Sequence, residues 1–172
     1  MIAFHGKASV KAEYLARVCA HRKADEIIHG VYWQQGKGCA IGCTIHSDAH
    51  DRYETELGIP TVLARLEDGI FESLPNGESK EFPELFLDAI PVGADLSGVW
   101  PRFALWLLLD KEDGVIRFSK GFPEVRKAIQ GVGKLFQDCV DGKPVTRAAG
   151  AAGAARAAGA AWAAEAAGAA RA

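Results

Sequence analysis

Apolar side chains recur at steps of three and four through most of the first 140 positions, and runs that alternate in steps of two are rare. Such a chain has stripes of helix to bury rather than faces of strand, so an all-α fold is expected. The first stripe runs from residue 9 to 28, with Val10, Tyr14, Val18 and Cys19 in phase and Ser9 as a candidate cap. A second helix is expected from Cys39 to Leu57, broken near Ser47 and stopped by Gly58 and Pro60. A third spans Thr61 to Leu74, a short one Ser79 to Ala89, and the last of the body Pro123 to Val140. Val115 to Phe118 reads as extended, and Pro75-Asn76-Gly77 as a turn.

The most apolar run, Phe103 to Leu109, has seven residues, whereas a membrane span needs about twenty. It reads instead as the buried central helix of a bundle of six to seven, with Trp100 and Trp106 as large core residues. No apolar segment of signal-peptide length is expected near Met1, and four scattered cysteines do not make a disulfide framework. Reduced thiols in the cytoplasm are the expectation.

The end of the chain obeys a different rule. From Arg147 to Ala172, every third residue departs from alanine, and 17 of these 26 residues are alanine. A step of three turns 300° on an α-helix, so the departures spiral and gather on no face. Glycine fills four of the nine places, which excludes a collagen triple helix. The expected organisation is therefore one helical body, 1–146, and an alanine-rich helical tail, 147–172, through which the protein could self-associate. Of the net charge of −2, the tail carries +2 and leaves −4 on the body. With no one-sided basic patch, nucleic-acid binding is not expected.

Chemistry-bearing residues concentrate in GCAIGCTIHSDAHDRYE, residues 38 to 54. On one continuous helix Cys39, Cys43, His46 and His50 would form a single stripe, extended by Glu54. Two histidines four apart can share a transition metal such as zinc. The stripe spans about 16 Å at the helical rise of about 1.5 Å per residue, so only Cys43, His46 and His50 could share an ion. A fourth ligand would then come from His5 or His29. The alternative is that the cysteines pack as core and the histidines edge it, with no cofactor. The remaining catalytic patterns are incomplete. Gln35 and Cys39 lack the downstream histidine of a cysteine protease, Glu26-x-x-His29 lacks a second copy, and no glycine run ends in the lysine of a phosphate loop.

Cys39-Ala-Ile-Gly42, followed by Tyr53, Pro60 and Leu63 to Glu67, resembles the helical zinc-binding domains of bacterial chemoreceptors, without the histidines of their final helix. The segments GCAIGCTIH, YETELGIP, LARLEDGIFE and IPVGADLSGVWPRFALWLL together resemble a family of bacterial proteins to which no activity is assigned. Pro123 to Ile129, Gly142 and the tail are similar to the ends of immunity proteins from bacterial toxin systems. That last resemblance implies a protein partner such as a toxin. In the absence of a complete catalytic set, protein binding rather than catalysis is expected. The contact surface would be the loop Tyr32, Trp33, Gln34 and Gln35, whose aromatics would stand exposed. Metal binding by the cysteine–histidine stripe is the alternative.

Overall fold

The computed structural model describes residues 1–145, and the fold is predominantly helical. The alanine-rich tail and the expectations placed on it lie outside the described residues. The chain divides into two compact units, Met1–Ser97 and a second beginning at Gly98.

In the first unit, α1 (Ala8–Lys23) leads through a two-residue hairpin, β1 (Trp33–Gln34) and β2 (Lys37–Gly38), into α2 (Ala40–Ile45). A π-helical turn (Tyr53–Leu57) precedes α3 (Thr61–Ser73), followed by α4 (Asn76–Ser79) and α5 (Phe82–Ala89). All six residues of α2 are buried, and α1, α3 and α5 each pack on it. The core of this unit therefore surrounds Ala40 to Ile45, joined by Phe4, Val18, Ile27, Tyr53, Leu57, Ile59, Phe71 and Leu87, all at most 2% exposed.

Glycine makes that arrangement possible. The carbonyl oxygen of Tyr32 occupies the space that a Cβ on Gly38 or Gly42 would need. The Tyr32–Trp33 backbone therefore lies flat on the start of α2, where Cys39 N–H donates to Val31 O at 2.7 Å.

The expected helix from Cys39 to Leu57 is not continuous. At His46 the backbone turns left-handed, with φ 51° and ψ 43°, and caps α2 after Ile45. The chain re-enters helical geometry only at Arg52, so the stripe Cys39–Cys43–His46–His50 is broken in its middle. Across the gap, Glu54 Oε1 accepts hydrogen bonds from Thr61 N–H and Oγ1–H, at 2.9 and 2.8 Å, capping the start of α3. The first helix also ends earlier than expected, at Lys23, with Asp25 in left-handed geometry two residues later. Asn76 begins a short helix where a turn was expected.

In the second unit, α6 (Val99–Leu109) packs on α7 (Pro123–Val140), with a 3-10 turn (Val115–Ser119) against both. That turn stands where extended chain was expected, whereas α7 has the expected bounds. Only Ala104 of α6 is buried. Trp106 is 45% and Leu107 40% exposed, and Trp100 is half-buried. The expected central helix is thus not the centre of the core. A run apolar on every side marks burial only when neighbours surround it, and α6 meets α7 along one side. Among the described residues no helix is long and apolar enough to cross a membrane.

Candidate functional site

Three donor groups from two helices converge beside α2: the Cys39 thiol, the Asp68 carboxylate and the Glu72 carboxylate, each with one atom within 4.8 Å of the other two. Cys39 is the N-cap residue of α2, at the point where the hairpin delivers the chain into the core. Asp68 and Glu72 stand four apart on α3 and so share a face. The backbone N–H of Gly30 lies 3.1 Å from both Glu72 oxygens and donates to them, fixing that carboxylate at the rim. A small pocket lined by Gly30, Val31, Tyr32, Asp68 and Glu72 opens above the group.

His50 lies outside this trio and approaches it at Asp68 alone. Its Nδ1–H donates to the Asp48 carbonyl at 3.0 Å, which leaves Nε2 as a bare lone pair in the neutral ring. That lone pair faces Asp68 Oδ2 at 3.4 Å. Two acceptors facing each other repel unless a proton or a cation stands between them. The other Asp68 oxygen, Oδ1, is buried without a hydrogen-bond partner. Asp68 therefore has an imidazole nitrogen at one oxygen and no hydrogen-bond partner at the other.

The electrostatics point the same way. Burial pushes the Cys39 thiol up to about 12, against hydrogen bonds from the Gly42 and Ile41 backbone that favour the thiolate. Tyr32, whose ring meets His50 edge-on at 5.4 Å, is also raised, first by the Asp68 charge and then by burial. The group is short of positive charge. As it stands the Cys39 thiol is no nucleophile, because thiol chemistry needs the thiolate; a bound metal ion would remove its proton outright.

Below the site, Glu67 is fully buried on α3 and neither of its carboxylate oxygens is hydrogen-bonded. Burial raises it to about 8. The buried Tyr53 hydroxyl lies beside it without reaching hydrogen-bond geometry, and Tyr53 is itself raised well above its ordinary value by desolvation.

The four residues of the sequence stripe thus separate. Cys39 and His50 meet at Asp68. Cys43 points into the core, its thiol donating to the Gly38 and Glu26 carbonyls at 3.3 and 3.7 Å. His46 lies under Trp33, stacked at 4.4 Å and 15°. His5 bonds the Thr55 carbonyl, and His29 engages Asn76 and the Phe71 carbonyl, so each is tied up elsewhere. Asp68 and Glu72 escaped sequence reasoning; their signal was the i, i+4 spacing on the best-marked helix of the first unit.

The loop expected to be a contact surface is mixed. Tyr32 is 49% exposed, and Gln34 and Gln35 are exposed. Trp33 is half-buried between His46 and the edge of His21, 5.4 Å away, so its ring has a structural reason to be there. Comparison of the chain with protein-family models, curated proteins and solved structures returns no match.

Proposed function

We propose that the protein binds one transition-metal ion of the zinc class through Cys39, His50, Asp68 and Glu72. The observation that carries this reading is the approach of His50 Nε2 to an Asp68 carboxylate whose other oxygen is buried and unpartnered, beside the Cys39 thiol and the Glu72 carboxylate. The donor set of one thiolate, one imidazole and two carboxylates suits a borderline-soft divalent ion. The Asp48 carbonyl holds the His50 tautomer in the way that outer groups orient metal-bound histidines. Around a tetrahedral zinc, with bonds of about 2.0–2.3 Å, donors stand about 3.5 Å apart; closing Cys39, Asp68 and Glu72 to that spacing takes movements on the order of an ångström, and His50, which meets the group only at Asp68, must swing in with them. Glu72, at the solvent edge, is the ligand best placed to yield to water or substrate. A reducing cytoplasm would keep the thiol available.

The test is titration of the metal-free protein with cobalt(II). The expected result is a thiolate-to-cobalt absorption band saturating at one equivalent, lost in Cys39→Ser and kept in Cys43→Ser. Absence of the band in the wild type overturns the reading.

A second reading, recognition of a protein partner such as a toxin through the Tyr32–Gln35 loop, is favoured by the exposure of Tyr32. Capture of a partner that Tyr32→Ala abolishes and Cys39→Ser leaves intact would support it over the metal centre.

A further inference from the structure

A chain of three titratable groups lies on the other side of the Tyr32–Trp33 segment, outside the proposed metal centre. His21 Nδ1 is 2.6 Å from Glu26 Oε2, and His21 Nε2 is 2.8 Å from His46 Nε2. A carboxylate only accepts, so His21 Nδ1 carries a hydrogen and donates it to Glu26. In the neutral pair His21 Nε2 is then bare, and His46 Nε2–H must donate to it. That leaves Nδ1 of His46 without a hydrogen. Among the described residues no protein group bonds this nitrogen, and His46 is exposed on a cleft of ≈ 570 Å³ lined also by Tyr32, Trp33, Gln34, Ser47 and Asp48.

The rings stand nose to nose rather than splayed round a common point. Their centroids are 5.1 Å apart with the Nε2 atoms 2.8 Å apart, which sets the two rings along the N···N line. This is the geometry of a nearly linear N–H···N bond. An ion held by both nitrogens would sit at the apex of an angle and draw the centroids closer, so the arrangement is built to pass a proton.

We infer that Glu26, His21 and His46 form a proton relay whose working end, His46 Nδ1, accepts a proton from an O–H or N–H group of a small polar ligand in this cleft. The step balances within the chain. The ligand's proton bonds to His46 Nδ1, the Nε2–H proton of His46 moves to His21 Nε2, and the ligand keeps the electron pair as an anion. The positive charge comes to rest on His21 against Glu26. The reverse transfer restores both tautomers. A carboxylate orienting an imidazole is the general arrangement of a buried base and its positioning group, here lengthened by one ring.

The charges facing His46 explain why the second ring is needed. Burial, Arg17, His21 and Arg52 all lower its affinity for a proton, and Glu56 alone raises it. A charge left on His46 is disfavoured, whereas one passed to His21 meets Glu26 directly. Trp33, stacked on His46, holds the ring in line.

The test is nitrogen-15 NMR of the imidazoles in the metal-free full chain, paired with the rate of carbethoxylation by diethyl pyrocarbonate. In neutral solution the expected pattern is His21 with hydrogen on Nδ1 and His46 with hydrogen on Nε2. Glu26→Gln should loosen the fixed His21 tautomer, giving mixed Nδ1–H and Nε2–H signals, and slow modification of His46 about tenfold, with Glu26→Asp restoring part of both. His46 found with its hydrogen on Nδ1, or a Glu26→Gln variant with unchanged tautomers and unchanged modification rate, overturns the relay. The chelated protein is used throughout, so failure here leaves the Cys39 centre untouched.

Discussion

The carbonyl oxygen of Tyr32 rests in the space above Gly42 that any side chain would fill. One glycine thereby holds the 32–33 segment on the central helix. The metal candidate lies on one side of that segment, through Tyr32 against His50, and the histidine pair on the other, through Trp33 against His46.

Gly42→Ala should therefore be severe. The methyl group meets backbone, which cannot rotate away, and the surrounding helix is fully buried. The expected loss is about 3 kcal/mol or more, at the upper end of overpacking effects, read from urea denaturation. Gly69→Ala, where a Cβ meets nothing within 4 Å, should instead stabilise α3 by up to about 1 kcal/mol. Equal effects at the two positions would remove Tyr32 from its seat on α2.

The thiols should divide by burial. Cys139 is exposed, while Cys39 and Cys43 are buried and both raised to about 12 by desolvation. At pH 8 only about one molecule in ten thousand carries either thiolate. Ellman's reagent should label Cys139 of the metal-free native protein promptly, and Cys39 and Cys43 only on unfolding. Prompt labelling of Cys39→Ser and wild type to different extents would contradict this.

Glu67 should weaken the fold. Its two unpartnered oxygens are buried on α3, and replacing an unsatisfied polar group by an apolar one of similar shape relieves its desolvation. Glu67→Met is expected to stabilise by about 1–3 kcal/mol, seen as a higher melting temperature. A loss of stability would mean that this carboxyl has a partner in solution.

The helical class was legible because periodicity is local: α3 and α7 lie almost where their apolar spacing puts them. The core was not. Seven apolar residues in a row drew attention to Phe103–Leu109, yet the buried helix is the six-residue α2, whose glycine, alanine, cysteine, threonine and two isoleucines look unremarkable in sequence. Its importance comes from what packs round it, which is non-local information.

The site was half legible for a related reason. A stripe on an unbroken helix put Cys39 and His50 into the candidate set together with Cys43 and His46. The left-handed turn at His46 then split the four, leaving Cys39 and His50 at Asp68 while Cys43 faces the core and His46 lies under Trp33. No glycine or proline announces that turn. Asp68 and Glu72 reach Cys39 only through the packing of α3 on α2, a contact between residues about thirty positions apart.

Metal content of protein purified without an affinity tag, from cells grown with ordinary trace metals, tests the central claim most directly. Elemental analysis should find close to one zinc-class ion per chain in the wild type, and less than a tenth of that in Asp68→Asn and Cys39→Ser. A folded wild type that carries no metal and takes none up on dialysis against zinc would contradict it.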